Sequence, residues 1–165
     1  MDSYIGIDPG TATTGFGIIT EKNDGSMLCL QYGVIRTAAA LEMPERLAQI
    51  YQDMQEILLL HKPQFAAVEK LFFQKNVTNA ISVGQARGVV LLALQQHQIP
   101  IYEFTPNEVK QAVSGYGGAG KKQVQSMVRL LLNLEEIPEP DDAADALAIA
   151  ICLKQMKHIQ DLSKE

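Results

Sequence analysis

Cysteine is scarce in this chain of 165 residues. Cys29 and Cys152 are too few for a disulfide framework. Both lie in apolar surroundings, which fits a reduced, cytoplasmic compartment. The opening residues, MDSYIGIDPG, lack the basic-then-apolar pattern of a signal peptide. No apolar run approaches the roughly 20 residues of a membrane span, so no membrane contact is expected. Histidine is limited to His61, His97 and His158, with no metal-ligand spacing, and all three read as surface residues. There is no internal repeat, low-complexity tract or domain linker.

What remains is a chain that is 47% hydrophobic and of a length that suits one domain. Residues 1–158 are expected to form it, with 159–165 a disordered tail. Strand-like and helix-like segments alternate, which predicts an α/β fold. YIGID (4–8), GFGIIT (15–20) and MLCLQYGVIRT (27–37) read as strands, with NDG at 23–25 a hairpin turn. Leu47, Ile50, Met54, Ile57 and Leu58 recur at helical spacing from about Pro44 to His61. FAAVEK (65–70) and IPIYEF (99–104) are further strands, and Thr78 to His97 is a long helix. TPNEVKQAV (105–113) carries the signature of a capped helix start: Thr, then Pro, then Glu108. SGYGGAG (114–120) is a flexible loop. Helices follow over Lys121–Leu132 and from Asp141 to about His158. The order predicts a mixed sheet whose antiparallel part comes first.

A net charge of −5 argues weakly against a nucleic-acid partner. The distribution says more. Residues 70–129 hold seven basic side chains (Lys70, Lys75, Arg87, Lys110, Lys121, Lys122, Arg129) against two acids, Glu103 and Glu108. A basic block within an acidic protein is the footprint expected for phosphate.

The acids are placed unusually. Asp145 lies inside PDDAADALAIAICL, an otherwise apolar run. At about 100° per residue, Ile149, Cys152, Met156 and Ile159 share its side of the helix, while Lys154, Lys157 and His158 take the other. Asp142, three residues earlier, falls on the same side as Asp145. Acids in a first turn complement the helix dipole, which accounts for Asp141 but poorly for Asp145. A carboxylate at the edge of a core is costly unless it is paired or holds a metal. Asp8 and Glu69 each end a buried strand, where ligands of open α/β sheets gather. Four carboxylates with no His or Cys companion are hard oxygen ligands, suited to Mg²⁺ or Mn²⁺. Two such ions clamp the attacking and leaving oxygens of a phosphoryl displacement. Together with the basic block, this points to a phosphodiester substrate.

Other signals leave alternatives open. IDPGTATTGFG offers backbone and hydroxyl donors near Asp8, as in phosphate-cradling turns of the actin and sugar-kinase superfamily. Such kinases need two large lobes, and 165 residues leave no second one. Phe72 and Phe73 follow the Glu69 strand and can stack on an unpaired base or belong to the core. Lys75, Arg87, Lys110 and Lys121 are candidate phosphate contacts. Gly84 and Gly88 strip one side of the 78–97 helix, which suggests burial in a core or at a subunit interface.

IGIDPGTATTGFG, the Glu69 strand with FFQKN, VGQARGVVLLAL, PNEVKQAVSGYGGAGKKQVQ and DDAADALAIA together resemble the RuvC family of bacterial Holliday junction resolvases. The likeness runs from about residue 4 to 155. It implies an RNase H-like fold, a mixed five-stranded sheet flanked by helices. It implies a homodimer that nicks four-way junction DNA symmetrically, and RuvA and RuvB as branch-migration partners. The family's catalytic and metal-holding acids fall by motif on Asp8, Glu69, Asp142 and Asp145, with Mg²⁺ the expected ion (Mn²⁺ substituting) and two per active site. The junction-stacking aromatic falls on Phe72, and the basic DNA contacts on Lys110, Lys121 and, more weakly, Lys122. The 78–97 helix corresponds to the dimer helix. Three readings therefore stand: a junction-resolving nuclease, a related RNase H-like or ATP-binding enzyme, and a non-catalytic junction-binding module.

Overall fold

A computed structural model describes residues 1–71 and 77–162. The described residues form five strands and five helices: β1 (Ser3–Asp8), β2 (Thr13–Glu21), β3 (Met27–Arg36), α1 (Met43–His61), β4 (Phe65–Glu69), α2 (Val77–Gln96), β5 (Ile101–Phe104), α3 (Pro106–Ser114), α4 (Lys121–Leu131) and α5 (Asp141–Leu162). The sheet order is β3-β2-β1-β4-β5. The first three strands are antiparallel; β4 and β5 join parallel to β1. The mixed sheet with its antiparallel part first is as the sequence predicts. Gly25, at φ 81, closes the β2–β3 hairpin. Thr105 caps α3 reciprocally with Glu108.

Each face of the sheet carries its own core. On one side, α1 and α2 cover Ile5, Ile7, Ile18, Ala66 and Val68. On the other, α3, α4 and α5 cover Tyr4, Ile19, Ala67 and Phe104. Helix α5 is buried from Ala146 through Lys154. Its seat on β1 and β2 depends on missing side chains. A Cβ on Gly6 would stand 2.1 Å from the Ala146 carbonyl oxygen. One on Gly15 would stand 2.0 Å from that of Asp142. Helix and sheet therefore approach more closely than any larger residue permits.

This tight seat corrects the helical-wheel reading of α5. Lys154, expected on a far, solvated side, is buried and pairs with Glu21 at 3.0 Å. Lys157 lies over the Phe65 ring at 4.5 Å. Met156 and Ile159, expected in the apolar stripe, are exposed along an open groove beside α3. The helix continues to Leu162, four residues past the expected end.

Helix α2 brings a second difference. By length and composition it is apolar enough to cross a membrane, which run length alone did not suggest. Its Gly, Ala, Ser and Thr residues interrupt the apolar runs without adding charge. It packs through Ala86, Val90, Ala93 and Leu94 against the sheet and α1. Its other side leaves Val77, Ile81 and Leu92 exposed.

Candidate active site

Asp8 and Glu69 are placed by strand pairing. β1 and β4 run parallel with Ile7 opposite Val68, and each strand ends one residue later in its acid. Pro9-Gly10 turns the chain away after Asp8. In the β1–β2 pairing Asp8 lies opposite Gly15, the residue whose empty side admits the Asp142 backbone. The first turn of α5 thus crosses the end of β1. Asp142 and Asp145, one helical turn apart, face the same way. One carboxylate oxygen from each of Asp8, Asp142 and Asp145 lies within 4.8 Å of the others. The acid inside an apolar helix is explained: its end of α5 opens onto a cleft.

That cleft, of about 250 Å³, is lined by Glu69, Lys110, Lys121 and Asp145 over an apolar floor that includes Val109, Val124 and Ile149. Glu69 is not within the tight triad, and Asp8 and Asp142 do not line the cleft. Asp145 belongs to both and joins them into one site.

Electrostatics agree with the geometry. Burial pushes Asp8 up to about 8 from an ordinary carboxylate value, reinforced by Glu69, Asp145 and Asp142 and opposed by Lys121. Asp145 is also raised, first by burial, with Lys121 opposing and Asp142 and Asp141 adding to the rise. Glu69 is raised by burial and by Asp145, against Lys110. Carboxylates that disfavour one another's ionisation this strongly are a donor set for a cation. All donors are oxygen, so a hard divalent ion fits and a thiophilic one does not.

The remaining candidates divide. Lys121 reaches into the site, with Nζ 2.9 Å from Asp141 Oδ2 and 3.8 Å from Asp145 Oδ2. Lys110 lines the same cleft from α3. Lys122 is exposed and does not line it. Arg87 is half-buried: it pairs with the exposed Glu103, and its Nε donates to the Glu69 carbonyl at 3.3 Å. Phe72 and Lys75 lie outside the described residues.

Two hydroxyls of the DPGTATT segment are engaged within the fold. Thr14 Oγ1 donates to the Gly10 carbonyl at 2.7 Å and accepts from the Gly10 N–H at 3.3 Å. Thr11 Oγ1 donates to the Ser82 carbonyl at 2.9 Å and lies 2.6 Å from Ser82 Oγ. Both hydroxyls are buried and serve the fold. Sequence reading missed Asp141 as a holder of Lys121. Gln125 Nε2 donates to the other Asp141 oxygen at 3.0 Å. The spacing of Lys121 and Gln125, one turn apart on a helix, was the available signal.

A family model described as crossover junction endodeoxyribonuclease RuvC matches residues 4–153. The chain belongs to the RuvC family. A RuvC from Brevibacillus brevis is 52% identical over 160 residues, covering 97% of this chain and 96% of the relative. One from Chloroflexus aurantiacus is 58% identical over 148 residues, covering 90% of each. Among solved structures, T. thermophilus RuvC in complex with Holliday junction substrate superposes with a TM-score of 0.92 at 36% identity, over 97% of both chains. The yeast mitochondrial Holliday junction resolvase Ydc2, at 13% identity and a TM-score of 0.70, shares the fold. The mixed sheet flanked by helices is thus the RNase H-like arrangement of RuvC.

Proposed function

We propose that this chain is a structure-selective endonuclease that resolves four-way DNA junctions by paired, symmetric nicks. The observation that carries the reading is the convergence of Asp8, Asp142 and Asp145 within 4.8 Å, at the edge of a lysine-flanked cleft. Its relatives' names as crossover junction endodeoxyribonucleases support the same activity.

Asp8, Glu69, Asp142 and Asp145 would hold divalent ions, Mg²⁺ first and Mn²⁺ as a substitute, two per site. When bound, such ions supply positive charge that activates water and neutralises the charge growing on the phosphate oxygens. The chain's own residues do the rest. Asp8, raised to about 8, holds a proton at neutral pH in the ion-free protein and gives it up when a cation arrives. Asp145, shared by triad and cleft, orients the attacking water against the phosphodiester. The P–O3′ bond breaks, leaving 5′-phosphate and 3′-hydroxyl ends. Lys110 from α3 and Lys121 from α4 steady the phosphate. Phe72 is assigned to DNA by motif, by stacking on an unpaired base, and Lys75 by its charge beside the Glu69 segment.

A homodimer would present two such sites to the junction. The exposed side of α2 supports it: Val77, Ile81 and Leu92 are open, and a Cβ at Gly88 would meet nothing within 4 Å. RuvA and RuvB are the partners expected from the family. Two free thiols, Cys29 and Cys152, both raised by burial, suit a reducing cytoplasm.

The test is cleavage of four-way, duplex and RNA–DNA hybrid substrates with and without Mg²⁺. Junction cleavage only with the ion is expected. Cleavage of hybrids in place of junctions would assign an RNase H activity instead. Binding without cleavage would leave a junction-binding module.

A further inference from the structure

Arg87 reads from the sequence as one more cation for DNA phosphate. Its surroundings assign it elsewhere. The side chain is 17% exposed, half-buried where α2 meets the carboxyl ends of β4 and β5. Its Nε donates to the backbone carbonyl of Glu69, at 3.3 Å, and a terminal nitrogen pairs with Glu103 on β5. The planar guanidinium thus engages the last residue of β4 and the strand beside it at once. The next residue is held as well: the Lys70 N–H donates to the Phe104 carbonyl at 2.8 Å. Arg87 Nε and one terminal nitrogen are thus engaged within the protein, and Arg87 does not line the cleft.

The same helix fastens the other strand end. Five residues before Arg87, Ser82 meets Thr11, three residues after Asp8, through the two short contacts described above. Helix α2 therefore touches the chain just beyond Asp8 and at Glu69, the two strand-end acids. Glu69 is the acid outside the tight triad, so its reach depends most on where β4 ends.

We propose that Arg87 is a positioning residue: it fixes the end of β4 so that the Glu69 carboxylate faces the ions held by Asp8 and Asp145, and it makes no contact with DNA phosphate. This rests on the nuclease reading of the site. Loss of the fork lets the β4 end shift, and displacements of about 1 Å at a reacting centre cost up to about 100-fold in rate.

The experiment compares wild type with R87Q, which is close in size but uncharged, and R87K, which keeps the charge but loses the fork. For each, junction affinity is measured in Ca²⁺ across a salt titration, Mg²⁺ affinity by calorimetry without DNA, and single-turnover cleavage at saturating junction. Expected is a loss of cleavage of at least about 10-fold in both variants, with weaker Mg²⁺ binding. Junction affinity and its salt slope should stay as in wild type. E103Q, which loosens the same fork from its far side, should move cleavage in the same direction. Thermal unfolding distinguishes misplacement from collapse, and the E103Q variant serves if R87Q does not fold.

Weaker junction binding with a shallower salt slope, and normal cleavage at saturation, would make Arg87 a phosphate contact and overturn the proposal. So would full rescue by R87K, since charge alone would then suffice. A wild-type chain that bound Mg²⁺ but cleaved no junction would overturn the nuclease reading instead. Arg87 would then be judged by Mg²⁺ affinity alone, and an unchanged value in R87Q would count against it.

Discussion

The carbonyl oxygen of Asp142 occupies the space that a side chain on Gly15 would need, 2.0 Å from the position of its Cβ. Gly15 is in turn the β2 partner of Asp8. One glycine therefore sets the spacing between the first strand acid and the first helix acid. In G15A the backbone of α5 must retreat from the sheet, because the conflict is with a main-chain atom that no rotamer change can move. Overpacking of this kind costs about 1–3 kcal/mol. The expected outcome is a folded protein with lowered melting temperature and severely reduced cleavage, measured on a junction in Mg²⁺. Wild-type cleavage by G15A would show that the Asp8–Asp142 spacing is not set here.

Asp8 makes the ion-free protein pH-sensitive. Its folded value of about 8 lies above the unfolded value of 3.8, so the folded state binds more protons between them. Stability without metal must therefore fall as pH rises from about 4 to about 8. Each unit of such a shift is worth about 1.4 kcal/mol, and neighbouring acids share the effect, so a total of a few kcal/mol is the scale. D8N removes the penalty. Thermal unfolding in chelator should show the variant more stable than wild type at pH 8 and nearly equal at pH 4. Adding Mg²⁺ should stabilise wild type strongly and D8N weakly. A flat wild-type profile across this window would refute the crowding of charge at Asp8.

Much of this was legible in the sequence because it depends on local signals. The β1 and β4 ends announce themselves through apolar runs that stop at Asp8 and Glu69. The capped start of α3 is written in Thr105, Pro106 and Glu108. Asp145 stood out because a carboxylate in an alanine-rich helix conflicts with its surroundings. Long-range pairing was not legible. Lys154 looked solvated because a wheel shows one helix and not the Glu21 carboxylate beside it. The contacts of Arg87 were not legible either, because nothing near it in sequence reveals Glu103 or the Glu69 carbonyl. The Thr11 hydroxyl of the DPGT turn looked free for a ligand because its partner, Ser82, comes from a distant segment.

Lys121 opposes the rise of both Asp8 and Asp145. In K121A that opposition is gone, so both carboxyls move further up and hold their protons to higher pH. Mg²⁺ binding must displace those protons, so the pH at which the ion-free protein begins to take up Mg²⁺ should rise. Calorimetric titrations between pH 6 and 9, in buffers of differing ionisation enthalpy, would register it as weaker binding and more protons released per ion at neutral pH. Junction affinity should also lose salt dependence by about one phosphate contact. Unchanged metal affinity at pH 7 would separate Lys121 from the acids it faces.

Asp145→Asn removes the acid common to triad and cleft while keeping its shape. Cleavage should fall by at least about 100-fold, with junction binding retained, because the change deletes a donor without disturbing the α5 seat. Normal cleavage by D145N in Mg²⁺ would mean that the carboxylates do not act as one site.

The Lys154–Glu21 pair offers a test of the fold that spares the chemistry. Lys154 is buried on α5, and Nζ lies 3.0 Å from Glu21 Oε1 and 3.4 Å from the Gly25 carbonyl in the β2–β3 turn. The ammonium therefore ties the middle of α5 to the hairpin that flanks it. Truncation in K154A leaves Glu21 without its partner and opens a gap against the sheet, at a cost on the order of 1–3 kcal/mol. K154M fills the gap but still leaves the acid unpaired, so it should recover part of the loss. K154M combined with E21Q removes both charges and should be more stable than K154M alone, giving a coupling energy of about 0.5–3 kcal/mol in the double-mutant cycle. Chemical denaturation would measure all four proteins of the cycle. Cleavage below the melting temperature should be unaffected, because Lys154 does not line the cleft that Asp145 faces. Additive effects of the two substitutions would show that the pair contributes nothing beyond packing.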